Sequence, residues 1–172
     1  MKKQLAILVL ALGLMTSFSA VAQQKIGHIN ADELLQMMPE TKTAQQQLET
    51  YGRQLEKDLK DMETELQTKV QSFRENQKVM TELARENKSR EIQELQLRIQ
   101  EYSQKAQEDL QQKQVELLTP IIEKATNAVQ DVAKENGFTY ILDSSPSKAV
   151  VIFAADKSED LMPKVKAKLA IQ

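Results

Sequence analysis

In the middle of the chain, apolar side chains recur every seventh position. Leu48, Leu55 and Met62 form one series, and Leu59, Leu66 and Phe73 form a second, offset by four. Two such series make the seam of a coiled-coil helix. Met80 and Leu83 extend it less strictly, while Gly52 and Lys69 interrupt it. A second run, Ile92, Leu95, Ile99, Tyr102 and Ala106, repeats the 3-4 spacing. Its phase then slips by one four-residue step to Leu110 and Leu117, which locally unwinds a supercoil. Between the two runs, Arg85 to Glu91 contains no apolar residue. Asn87 and Ser89 there are suited to caps or turns, so the chain is expected to reverse within 79–90. An unbroken helix over the whole stretch would be about 140 Å long. A hairpin is favoured, because the gap lies near the midpoint and the flanking segments look like parts of one small unit.

The pattern changes at both ends. Lys25 to Asn30 reads as a short strand, Asp32 to Met38 as a brief helix closed by Pro39, and Phe138 to Asp143 and Ala149 to Ala154 as strands. The turn-rich Ser144–Lys148 is short, so those last two strands are expected to pair antiparallel. Ser158 is placed as the cap of a final helix that aligns Leu161, Val165 and Leu169. At Thr119-Pro120 the second arm is expected to kink or break, with Thr119 capping a new helix over Ile121 to Glu135. Asn136-Gly137 ends it. The expected fold is mainly α with a small β part: a long antiparallel coiled-coil hairpin (39–136) on a small β-rich head (23–38 and 137–172). Such a head buries too little apolar surface to stand alone and is expected to oligomerise.

The first residues add a location. Lys2 and Lys3 precede an apolar run, Leu5 to Leu14, and small residues end in Ala20-Val21-Ala22. This predicts an export signal over 1–22, cleaved after Ala22, and no stable membrane anchor. There is no cysteine, so neither a disulfide framework nor a lipidated terminal Cys is available.

Composition narrows the chemistry. Without Lys2 and Lys3, 21 basic groups face 25 acidic ones, a formal charge of −4. No basic face collects phosphates, so nucleic acid is not an expected partner. His28 is the single histidine, set between Ile26 and Ile29, and reads as a strand residue rather than a metal ligand. Gly-rich phosphate loops and nucleophile motifs are absent, so no enzyme, cofactor or metal is expected. Val79, Met80, Leu83 and Phe73 gather toward the expected tip, where a two-helix hairpin has little to bury them. They are candidate contacts for a partner or client. Ile26, Ile29, Tyr140, Leu142, Val151 and Phe153 are candidates for the oligomerisation core.

The order of parts carries a resemblance. A Lys-Ile-x-x-Ile-Asn strand (25–30), a long charged hairpin, Pro120-Ile121 and Val132-Ala-Lys-Glu-Asn-Gly-Phe-Thr-Tyr-Ile-Leu-Asp143 resemble the Skp/OmpH family of periplasmic chaperones over essentially the whole mature chain. The resemblance implies a homotrimer whose helical tentacles surround a cavity. Unfolded outer-membrane β-barrel proteins are held there without ATP. The family's basic tentacle surface is missing, since about residues 40–136 are slightly more acidic than basic. A lipopolysaccharide site is therefore not carried over. A structural or adaptor coiled-coil protein of the envelope is the alternative reading of the same pattern.

Overall fold

The computed structural model describes residues 24–148, 150–154 and 159–171. The export signal and the Ser158 cap lie outside them. In chain order the elements are β1 (Ile26–Ile29), α1 (Ala31–Met37), α2 (Pro39–Asn76), α3 (Glu82–Glu135), β2 (Tyr140–Asp143) and α4 (Met162–Leu169).

The first turn of α1 is closed by Asn30, whose side chain accepts from the Glu33 amide at 3.0 Å. Pro39 stops α1 and then serves as the first residue of α2, where its missing N–H is no loss. From there α2 runs 38 residues and α3 runs 54. The two pack antiparallel. Lys69 of α2 pairs with Glu91 of α3, the Tyr102 hydroxyl donates to Asp58 at 3.2 Å, and Lys124 pairs with Glu40. Between the Asp58–Tyr102 and Glu40–Lys124 contacts α2 spans 18 residues and α3 spans 22. That four-residue difference is the expected phase slip, absorbed along the seam.

Two features of α2 and α3 depart from expectation. The reversal occupies Gln77 to Thr81, at the early margin of the expected window, and Arg85–Glu91 is helical. Thr81 is the cap: its hydroxyl accepts from the Ala84 amide at 3.3 Å. The polar stretch holds as helix through pairs one turn apart, Arg85 with Glu82 and Arg90 with Glu86. Likewise α3 continues through Pro120 without a break, and Thr119 turns its hydroxyl back to the Val115 carbonyl at 2.7 Å instead of capping. Pro120 lies on the exposed side, so the Glu116 carbonyl freed by the missing N–H can meet water, while Ile121 beside it is held in the core.

The sheet is also different. β1 and β2 pair in parallel, with Ile26 opposite Tyr140 and His28 opposite Leu142. The expected antiparallel strand over 149–154 is not formed: Ala149 lies outside the described residues, and 150–154 carry no strand. The turn after β2 explains this. Ser145, 1% exposed, donates to Asp143 Oδ1 at 2.6 Å, and its oxygen accepts from the Asp32 amide at 3.0 Å. Asp143 Oδ1 also accepts from the Ser145 and Ala31 amides. Burial alone would raise the Asp143 pKa, but these bonds outweigh it and hold the carboxyl below its ordinary value. The loop is thereby latched to the start of α1 and cannot fold back along β2.

One contiguous core fills the base, built from Ile29, Leu34 and Met38, the roots of the long helices (Ala44, Ile121, Ala125, Ala128, Val132), and Leu161 and Val165 at and within α4. The long helices thus enter the core with their own ends. Gly27 is required by close approach: a β-carbon there would sit 2.5 Å from Leu161 Cδ1, 2.7 Å from Phe138 Cε1 and 3.0 Å from the Glu159 carbonyl.

Candidate functional site

Side chains alternate along a strand, so β1 and β2 present two different faces. One turns Ile29 into the core, where it is 4% exposed. The other carries Ile26 (46% exposed), Tyr140 (57%) and Leu142 (40%) with His28 between them. Of the six candidates for an oligomerisation core, Ile29 is therefore taken up inside its own chain. It is three residues from Ile26 and must face the opposite way. Phe153 is 82% exposed, with Ile152 at 95% and Val150 at 58%, while Val151 is half-buried. Large apolar side chains left this open within one chain have no favourable reason to face water.

Beside this face runs an apolar groove of about 530 Å³ between β2, α1 and α3, floored by Leu34, Leu35, Ala125, Val129, Phe138 and Ile141. Ile122 stands half-open at its edge. Among the described residues no cluster of His, Asp and Glu is placed to hold a metal ion, and no helix is long and apolar enough to cross a membrane. Both ring nitrogens of His28 are buried without a hydrogen-bond partner. The groove walls offer dispersion contact and few directed polar groups. Such a surface takes apolar side chains.

At the far end, the four tip candidates divide. Val79 (84% exposed) and Leu83 (68%) are open, whereas Met80 and Phe73 are half-buried. Phe73 lines a shallow surface hollow together with Glu82, Arg85 and Glu86 of the returning helix. Sequence reasoning missed Leu97 (59% exposed) and Val115 (63%), which stand off the seam of α3. The signal was present, as apolar residues that fit neither heptad series.

Between base and tip the arm is polar. Only Leu95 is fully buried there. Lys69, in a seam position, meets Glu65 at 3.4 Å and pairs across to Glu91, which also binds Lys88 at 2.8 Å. The hydrogen bonds from Lys69 and then Lys88 hold the Glu91 carboxyl at about 2.

The chain as a whole is similar to known proteins. The chaperone protein Skp of Yersinia enterocolitica is 28% identical over 161 residues, 94% of each chain. The protein of the same description from Yersinia pseudotuberculosis serotype I is 34% identical over the same length and coverage. In fold, the chain resembles the crystal structure of an OmpH-like protein from Caulobacter crescentus CB15. The TM-score is 0.73, at 17% identity, covering 85% of this chain and 83% of that one. The family described as outer membrane protein (OmpH-like) matches residues 25–169, from the strand that opens the base to the helix that closes it, and the chain belongs to that family.

Proposed function

We propose that this protein is a chaperone of the bacterial periplasm that holds unfolded outer-membrane β-barrel polypeptides, without ATP, in a space enclosed by the helical arms of several copies. One observation carries the reading: a base that leaves Ile26, Tyr140, Leu142 and Phe153 open beside an apolar groove, joined to a long polar arm. A second and third copy supply the missing cover for the base, and their arms then stand around a common cavity. Ile26, Tyr140, Leu142, Val151 and Phe153 form the contact between copies, and Val79 and Leu83 lie at the mouth of the cavity. Residues 1–22 direct export and are removed after Ala22.

A polar arm suits this task. A continuous apolar lining would trap an unfolded chain, whereas many weak contacts retain it through high local concentration and still release it. The test is aggregation of a urea-diluted outer-membrane β-barrel protein, with the purified protein's mass measured by light scattering on the same sample. Suppression near one trimer per client supports the reading. A stable oligomer that leaves aggregation unchanged overturns it in favour of an envelope adaptor that docks through the open tip pair Val79 and Leu83.

A further inference from the structure

The two helices of the arm differ in a way the seam does not require. Among the described residues, α2 exposes no large apolar side chain along its 38 residues. By contrast, α3 exposes four: Leu83, Leu97, Val115 and Ile122. At 3.6 residues per turn these four fall within roughly 60° of arc. The strip lies on the far side of α3 from α2, since Leu97 is about 200° round the helix from the seam residue Leu95. Within the same arc stand Gln104 and the charged Glu86, Arg90, Glu101 and Glu108, all exposed, with Gln111 about 20° outside it. At its root the strip runs into the base groove, because Ile122 lines that groove.

We infer that this strip on α3, from Ile122 through Val115 and Leu97 to Leu83, is the track along which unfolded client chain is held, and that the outer face of α2 takes no part. The inference rests on the chaperone reading and says which helix of each arm meets the client.

The spacing selects the occupant. Val115 and Leu97 are about 27 Å apart along the axis, and Ile122 and Val115 about 10 Å. A folded partner in a stable complex buries on the order of 1,000 Å² of contiguous, well-packed surface. Separated single side chains with polar and charged residues between them cannot supply that. An unfolded chain can, because it places an apolar residue on each anchor independently and loses one contact without losing the rest. Gln104, Arg90 and the three glutamates between the anchors add hydrogen-bonding groups that fit exposed backbone of any sequence. Continuity with the groove gives the track a closed end at the base and an open one at the tip.

The test uses the purified protein with an unfolded outer-membrane β-barrel protein as probe. A photo-reactive phenylalanine derivative is placed at Gln104 on the strip or at Gln67 on the exposed side of α2. Separately, Val115→Gln and Leu97→Gln are combined, since glutamine keeps helix propensity. The expected result is client cross-linking from Gln104 and not from Gln67. The double variant should weaken client binding about tenfold, with unchanged helicity and oligomer mass. Equal cross-linking from both positions, or unchanged affinity, overturns the track while leaving the chaperone reading intact. A change in oligomer mass in the double variant also overturns it, by showing that the strip joins copies of this chain. If the unaltered protein holds no client at all, the chaperone reading itself has failed, and the cross-linking result is not needed to see it.

Discussion

The base and the arm are built from the same two helices but by different means. At the base, Ala44, Ile121, Ala125, Ala128 and Val132 close against Leu34, Met38, Leu161 and Val165, so each helix is covered on more than one side. Along the arm, each helix has only the other to pack against, and the seam residues stay half-exposed apart from Leu95. A helix pair offers one stripe of contact per helix, and the remainder must be stabilised by propensity and by charge pairs one turn apart. Stability is thus concentrated at one end. The arm can bend or fray while the base stays folded.

The largest break in this comparison should come from the base. Leu34 is 1% exposed within the core, and Leu34→Ala should lower stability by about 3–4 kcal/mol through lost transfer energy and the cavity left behind. Thermal unfolding followed by circular dichroism would show the midpoint fall. A midpoint that moves no more than for an arm variant would refute the division. Gly27→Ala should follow at about 2–3 kcal/mol, since the added carbon meets two core side chains and a backbone carbonyl that cannot withdraw. A crystal structure or amide exchange of that variant should show the disturbance confined to β1, Phe138 and the 159–161 segment.

The sequence was most readable where a pattern repeats. Seven-residue spacing identifies both long helices because the seam uses it for many turns, and the slip at Leu110 appears in the structure as the shift in register between contacts. Single events were harder. The lack of apolar residues in Arg85–Glu91 points to a turn later than the one that forms, yet a helix near the tip of a helix pair has little apolar surface to cover and forms well on charge pairs alone. Pro120 suggested a break, but its cost falls on one exposed carbonyl, while the core on either side of it favours one continuous helix. The short Ser144–Lys148 loop does not make a hairpin, because loop length implies one only if the loop is free to close. Here Ser145 and Asp143 tie it to α1, a contact more than a hundred residues distant that no local pattern reveals. The opposite orientation of Ile29 and Ile26 was open to inspection, since an odd spacing in a strand always separates faces.

Leu95→Ala sharpens the comparison from the arm side. Leu95 is 1% exposed, and its removal should cost about 2 kcal/mol, at the low end for a buried leucine because two helices can close over the gap. The effect should be local. Amide exchange should quicken through the middle of α2 and α3, while protection at Ile121–Val132 stays unchanged. Uniform loss of protection over both regions would mean that base and arm unfold as one unit.

The smallest effect tests whether charge does in the arm what burial does in the base. Glu91 is held at about 2, below its ordinary 4.5, by hydrogen bonds from Lys69 and then Lys88. A depressed carboxylate pKa adds stability that is fully present above pH 4.5 and is lost as pH falls from 4.5 through about 2. Lys69 is shifted the other way, raised above 10.5 chiefly by its bond to Glu91, so its share is present below pH 10.5 and lost as pH rises beyond that. The pair is open to water, and salt should screen it. Amide exchange near Lys69 and Glu91 should therefore quicken, beyond its intrinsic pH dependence, as pH is lowered from 5 toward 2. At neutral pH, Glu91→Gln should produce a similar loosening, and added salt should shrink the difference between variant and parent. If Glu91→Gln leaves exchange unchanged at low salt, the cross-arm charges set register only, and the half-buried seam alone holds the arm together.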